Sequence, residues 1–427
     1  MVISKAKQLR SKLLPKSAAN LLTTEDVAEA REYIDKYWKK LKRHNTKDDG
    51  SLIGLPNPYL VPASEEGHDF DFDELYYWDS YFMVQGMLKD PEKKEFVLGI
   101  LEDLMSLYTR FKIIPNASRT YLMGRSQPPL LTTFIMDVYQ AYDMDKKWLA
   151  RSMAIAKDEY HTVWLGTTKP NMRQVYRGLS RYYDINHLND LAEAESGWDH
   201  TIRFSRKCLE FLPVDLNALL YKYEKDFAYA ARELGKEDEA KEWDKAAKHR
   251  ANTMKVLMWS DLKGMFYDYR YTKETRGNVE SVAAYFTMFA GLASEEQAAR
   301  LVNSLKRFEK KGGLATTDAQ PLGKLVPGPI PAQWAYPNGW APLQLIAIRG
   351  LENYGYHKEA KRIAMKWVKN NLDWYNKHHV FLEKYNVVNP EKPPAKGVYP
   401  SQVGFGWTNA VFERLCQDYI DPRNNEK

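Results

Sequence analysis

The feature that most constrains this 427-residue chain is a series of amphipathic stretches that come in pairs. Apolar residues recur at helical spacing near 79–89, 93–111, 130–143, 146–163, 214–234, 237–258, 278–290, 294–309, 339–354, 357–376 and 406–417. An earlier helix, capped by Thr24-Glu25-Asp26, carries Val27, Ala30, Tyr33, Ile34 and Tyr37 at the same spacing. Within pairs the links are tight, as at Leu234-Gly235-Lys236 and Gly355-Tyr356. Between pairs they are long and rich in Gly, Pro and aromatics. Helical hairpins arranged in a ring produce this alternation, the long links being free to build a site. No alternation of period two is sustained, although 266–271 could pair as a short strand. The chain is therefore read as all-α, with one large domain over 25–420, a polar lead-in over 1–24 and a polar tail over 421–427.

Twelve Trp and twenty-eight Tyr supply more flat amphipathic rings than packing needs, and such rings suit the C–H faces of sugars. The net charge of +6 is small against 62 basic and 56 acidic side chains interleaved as on solvated helix faces, which argues against nucleic acid as a partner. Cys208 and Cys416 give no disulfide framework and sit among apolar neighbours, as buried free thiols would in a reducing compartment. The opening MVISKAKQLRSKLLPKSAANLL lacks the apolar core of a secretory signal. Nor is there a run of about eighteen apolar residues. The expectation is a soluble, cytoplasmic monomer that neither enters a membrane nor binds nucleic acid.

The segment AEAESGWDHTIR (192–203) places Asp199 beside Trp198, directly after Ser-Gly, in a stretch otherwise suited to helix. A carboxyl held against an indole is poorly solvated, so its neutral form is favoured and its pKa rises toward that of a general acid. Glycoside cleavage needs such an acid and a second carboxyl across the bond. Taken alone, Asp199 is equally an exposed residue at a helix N-terminus, and Glu383 with Lys384 is an ordinary surface pair.

Longer motifs change that balance. FDFDELYYWDSYF (70–82) and QWAYPNGWAP (333–342) resemble the two signatures of the trehalase family of glycoside hydrolases. NASRTYLMGRSQPP (116–129), ESGWD (195–199), PVDLN (213–217), GGLATT (312–317), EKYN (383–386) and GFGWTN (404–409) resemble further blocks in the family's order. The resemblance implies an (α/α)6 toroid whose inner helices line a central pocket. It also implies an inverting hydrolase of an α-glucosidic bond, trehalose or a related α-glucoside, with Asp199 as general acid and Glu383 as general base. Inversion requires the two carboxyls to stand about 6.5–9.5 Å apart with a water beside Glu383. Asn116, Arg125 and Gln127 match family residues that hold the hydroxyls of one sugar, where planar forks fix two hydroxyls at once. Phe72, Trp78 and Asp79 match the wall and one ligand of that subsite, Gly197 falls in the block before the acid, and Trp334 and Trp340, flanking the turn sequence Pro337-Asn338-Gly339, match the aromatic lining.

Four departures gather around recognition. VPASEEGHDFDF (61–72) puts Asp71 where the family has a substrate-binding Arg, and Ala335 replaces the Asp of Gln-Trp-Asp. Val398 stands for a Glu of the pocket, and Tyr183 runs through DINHLND (184–190) where an Arg-Pro-Glu-Ser stretch is expected. Each lost charged contact to a hydroxyl costs about 1–3 kcal/mol. Two other readings follow: a hydrolase of another α-glucoside or of a compatible solute such as glucosylglycerate, and a catalytically silent sugar-binding protein. Retention of both carboxyls argues against the last. No cofactor or metal is expected. Asp69, Asp71 and Asp73 have calcium-loop spacing, but Glu74 stands where the turn needs Gly and Ser80 where the bidentate Glu belongs. His378-His379 is adjacent rather than at i, i+4, and Gly404-Phe405-Gly406 follows no clear strand and lacks a phosphate-loop Lys.

Overall fold

Val27, Ala30, Ile34, Tyr37 and Leu41 recur every three or four residues and form the buried stripe of the first helix, Thr24–Leu41 (α1). Its N-cap is Thr23, one residue earlier than the sequence suggests, and the Thr23 amide donates to Asp26 Oδ2 at 2.9 Å. The computed structural model describes residues 22–64, 72–319, 332–395, 397 and 401–421. Asp69, Asp71 and Val398, most of the lead-in, and the tail beyond 421 lie outside the described residues.

Twelve further helices follow among the described residues: Tyr77–Val84 (α2), Lys94–Phe111 (α3), Leu131–Ala141 (α4), Lys146–Glu159 (α5), Asn189–Glu195 (α6), Val214–Glu233 (α7), Glu237–Met258 (α8), Phe286–Phe289 (α9), Glu295–Phe308 (α10), Ala341–Asn353 (α11), His357–His378 (α12) and Gly406–Tyr419 (α13). Each long stretch read from the sequence contains a helix, but three are trimmed: 79–89 is helical only to Val84 and continues in turns, 278–290 becomes a 3₁₀ turn, Val282–Tyr285, running into α9, and 339–354 opens as a strand. The short α6 was not foreseen as a separate helix. Strands are two or three residues long, and the expected pairing over 266–271 is split, Phe266 facing Trp259 while Tyr269–Arg270 pairs with Phe211–Leu212.

Two kinds of helix alternate along the chain. α2 is buried over its whole length and α4, α7, α9, α11 and α13 bury most of their residues. α1, α3, α5, α8, α10 and α12 bury half or fewer, on one stripe. A helix buried all round needs neighbours on every side, so the first group lies inside the second. Within the inner group α2 neighbours α13, α13 neighbours α11, α11 neighbours α9, α9 neighbours α7, and α7 neighbours α4. α4 returns to α2 through Asp137, which accepts from Tyr81 Oη at 3.2 Å and, beyond the end of α2, from Gln85 Nε2 at 3.1 Å. Arg349 of α11 joins this knot by donating to Tyr81 Oη at 2.9 Å.

On the outside, Arg31 of α1 reaches Glu413 of α13 at 2.7 Å and Asp421 at 2.8 Å. Cys208 and Cys416 are buried free thiols, as expected. No helix among the described residues is long and apolar enough to cross a membrane. The motif residues cluster at or just before the N-termini of inner helices: Trp78 and Asp79 in the first turn of α2, Gln127 before α4, Trp340 at the N-cap of α11 and Trp407 in the first turn of α13. The positive ends of these helix dipoles thus face the same region as the motif carboxyls.

Candidate active site

Asp199 lies on a loop after the C-terminus of α6, not in a continuing helix. The helix stops because Gly197 takes a left-handed conformation, φ +71°, and a Cβ there would lie 2.5 Å from the Trp78 ring. Ser196 and Glu193 then fasten the loop from inside. The Trp198 amide donates to Ser196 Oγ at 3.1 Å, and the Thr201 amide donates to Glu193 Oε1 at 2.9 Å. Burial pushes the Glu193 carboxyl up to about 8, with the Asp199 charge adding to the effect. Thr201 also bridges to Trp334, its hydroxyl donating to the Trp334 carbonyl at 3.4 Å.

The neighbouring indole is engaged elsewhere than the sequence suggests. Trp198 is fully buried, lies 5.6 Å from Trp334, and has the Arg203 guanidinium 4.3 Å from its ring centre. Arg203 is itself clamped between Asp215 at 2.6 Å and Asp268 at 2.7 Å. Trp198 therefore anchors the Asp199 loop to the core.

Three carboxyls share the site. Burial pushes Asp199 up to about 6, the Glu383 charge adding to the rise and Arg125 opposing it. Asp79 is buried and held well above the ordinary carboxylate range by desolvation, with Glu383 and Asp199 contributing. Glu383 is also raised, chiefly by burial, against the pull of Lys384. Its amide donates to the Gln402 carbonyl at 2.9 Å, while its own carbonyl accepts from Trp407 Nε1 at 3.0 Å and Thr408 Oγ1 at 3.3 Å.

Lys384 is no surface residue. Its side chain is fully buried, and Nζ donates to Glu383 Oε2 at 2.6 Å. The surface-pair reading fails because Lys384–Asn386 forms an inner ladder with Asn338–Trp340, Trp340 facing Lys384. That same ladder corrects the turn expected at Pro337-Asn338-Gly339: Asn338 and Gly339 are extended, and a Cβ on Gly339 would lie 2.5 Å from Val387.

Around the carboxyls, Gln127 Oε1 accepts from the Trp78 amide at 2.9 Å and the Gln127 side chain also bonds Asp79. Asn116 braces its loop, Nδ2 donating to the Ser126 carbonyl at 3.0 Å. Arg125 donates to Asp184 at 3.2 Å as well as lying in the field of Asp199. Phe72 packs edge-on to Tyr76, ring centres 5.8 Å apart. Trp78 and Trp334 approach to 5.7 Å, and Trp407 meets Trp78, Trp334 and Trp340 edge-on. Of the residues singled out from sequence, Trp78, Asp79, Gln127, Gly197, Asp199, Trp334 and Glu383 are joined by these contacts and charges, with Arg125 at their margin. Asn116 is tied to them through its loop, and Phe72 through Tyr76, whose hydroxyl lies in the field of Asp79.

Lys384, Trp407, Asp184 and Glu193 were missed as site residues. The signal for Lys384 and Trp407 was their place inside the EKYN and GFGWTN blocks. Ala335 is 1% exposed in a small apolar cluster with Ile202 and Val279, so the expected gap in polar lining is filled by packing. Ile185 and Leu188, on the link that lacks Arg-Pro-Glu-Ser, are each 56% exposed.

The trehalase family model matches residues 5–193 and 187–419. The chain is 30% identical, over 480 aligned positions covering 95% of it, to the cytosolic neutral trehalase of Kluyveromyces lactis, and spans 62% of that protein's length. Its structure is similar to the neutral trehalase Nth1 from Saccharomyces cerevisiae, with a TM-score of 0.74 at 28% identity over 99% of this chain and 84% of that one. A mannosylglycerate hydrolase from Thermus thermophilus, solved in complex with glucose, shares the fold at 16% identity, with a TM-score of 0.66 over 90% of this chain and 99% of that one. Matching blocks, fold and overall similarity agree, and the chain belongs to the trehalase family.

Proposed function

We propose that the chain is an inverting glycosidase that cleaves the α-glucosidic bond of trehalose, working in the central pocket of an (α/α)6 toroid formed by the six inner helices. The observation that carries this reading is the unequal treatment of two carboxyls. Burial raises both carboxyls, Asp199 to about 6, but Glu383 has the Lys384 ammonium in direct contact at 2.6 Å, which favours its ionised form. A carboxyl that holds its proton beside one held ionised suits the acid role, and its partner the base. Asp199 gives its proton to the glycosidic oxygen as the bond to the anomeric carbon breaks. A water attacks that carbon from the opposite face and loses its proton to Glu383. The products are β-glucose and glucose, and exchange with solvent restores both carboxyls. Asp79 and Gln127, with Asn116 and Arg125, hold one glucose against Trp78.

The test is glucose release from trehalose followed by proton NMR of the anomeric signals. The expected first product is the β-anomer beside its α-partner. Asp199→Asn and Glu383→Gln are each expected to lower turnover at least about a hundredfold with unchanged melting. Parent-like rates in Glu383→Gln would remove the base assignment.

A second reading has its own support. The pairing of Arg125 with Asp184 and the exposed Ile185 and Leu188 leave a less polar margin than two matched glucose units would need. An α-glucoside with a smaller or less polar second half would then be the better substrate. Comparing kcat/KM for trehalose with that for alkyl α-glucosides and glucosylglycerate decides between them.

A further inference from the structure

Glu383 and Lys384 are adjacent, and adjacent side chains on a strand point to opposite faces. Here they converge, because the ladder begins only at Lys384 and the chain bends at Glu383. The Lys384 ammonium has left water altogether. Its partners are Glu383 Oε2 at 2.6 Å and the face of Trp340, whose centre lies 4.9 Å away. Behind Trp340 the stack continues to Trp334 at 3.7 Å, so the ammonium rests on a rigid base of rings. Burying a lysine is costly even when its charge is paired, which points to a task for it.

The task follows from what else faces Glu383. Asp79 comes from α2 and Asp199 from the loop after α6, with Arg125 beyond it and on the Asp199 side; Lys384 is the cation on Glu383's own segment. Three carboxyls in one site cannot all ionise easily, and a base must be the one that does.

We propose that Lys384 is the positioning residue of the base: its ammonium fixes Oε2 of Glu383, keeps that carboxylate ionised beside Asp79 and Asp199, and leaves Oε1 to take the proton of the attacking water. The inference rests on Glu383 acting as the base in glycoside hydrolysis. It identifies Lys384, assisted by a backbone hydrogen bond from Gln402 to the same carboxyl, as what favours the ionised form of Glu383 among the three carboxyls.

The experiment is the pH profile of trehalose hydrolysis by the parent chain and by Lys384→Met, Lys384→Gln and Lys384→Arg, with melting temperatures as control. Glu383 works deprotonated, so activity fails on the acid side, and removing the cation moves that limb up. In both neutral variants the acidic limb of kcat/KM is expected to rise by about 1–2 pH units, with kcat down at least about tenfold and KM within about threefold. Lys384→Arg keeps the charge but cannot place it where the ammonium sits, so its limb stays near the parent's while kcat falls at least about fivefold. A folded neutral variant whose acidic limb coincides with the parent's would overturn the proposal. Should neither neutral variant fold, Lys384→Arg decides, and a parent-like kcat there would overturn it equally. Glu383→Gln separates the two readings: if it keeps the parent rate, the base assignment itself fails, whereas an inactive Glu383→Gln beside parent-like Lys384 variants refutes only the role of Lys384.

Discussion

The indoles of Trp334 and Trp340 lie parallel to within 2°, with ring centres 3.7 Å apart. Trp198 continues the stack on one side and the Lys384 ammonium caps it on the other, so one column of rings runs from the Asp199 loop to the partner of Glu383.

Trp340→Ala removes the layer between the ammonium and the rest of that column. The expected loss is about 3–5 kcal/mol, read as a lower midpoint of urea unfolding with the slope unchanged. Trp340→Phe keeps a ring in place and is expected to lose less than about 2 kcal/mol. Equal losses from both would mean that the stack contributes little beyond volume.

Gly197 and Gly235 both have left-handed backbones, at φ +71° and +72°, but only Gly197 abuts a ring. A Cβ on Gly235 meets nothing within 4 Å. Gly235→Ala is therefore expected to cost about 1 kcal/mol of stability and no activity. Gly197→Ala adds a collision with Trp78, so kcat/KM is expected to fall at least about tenfold and stability by about 1–3 kcal/mol more. Matched behaviour of the two variants would show that Trp78 yields freely.

Ala335→Asp restores the residue common at that place in the family's second signature, yet puts a carboxyl against Ile202 and Val279. Its expected cost is at least about 1–3 kcal/mol at neutral pH. Burial raises the folded-state pKa above the unfolded value near 3.9, so stability is intact below about pH 4 and drains away as the pH rises toward the folded value. Denaturation at pH 4 and pH 8 measures this. Tighter trehalose binding by the variant, without that pH-dependent loss, would place Ala335 against substrate instead.

The proposed acid, Asp199, and the proposed base, Glu383, together predict a bell-shaped profile. Asp199 must be protonated, so kcat/KM is expected to fall through a limb near pH 6 and drop about tenfold per unit beyond it. Glu383 must be ionised, and burial sets its acidic limb above the ordinary carboxylate range. The kcat limb on the alkaline side is expected at higher pH, because bound sugar removes more water from Asp199. Steady-state rates from pH 4 to 9 check both limbs, and a flat profile above pH 7 would take Asp199 out of the acid role.

Helix positions were readable because burial repeats every three or four residues over long spans, as along α8 and α12. Features that depend on distant partners were not. Nothing local to Glu383-Lys384 says that Trp340, more than forty positions earlier, lines up opposite and seals the lysine from water. Trp198 was legible as important, but its true contacts, Trp334 and Arg203, come from another loop and from beyond the acid itself. Ala335 looked like a lost ligand because packing against Ile202 and Val279 leaves no pattern in a linear string. Gly197 lay within a recognisable block, though its reason, the nearness of Trp78, exists only in three dimensions.

The bonds of Arg31 to Glu413 and Asp421 have a consequence for how the molecule breathes. Fraying of α1 strips a cation from two acids at the far end of the described chain, and fraying of α13 strips both acids from Arg31. The first and last described helices thus behave as a clasp, and their slowest-exchanging amides are expected to open as one cooperative unit, with Arg31→Met loosening both together.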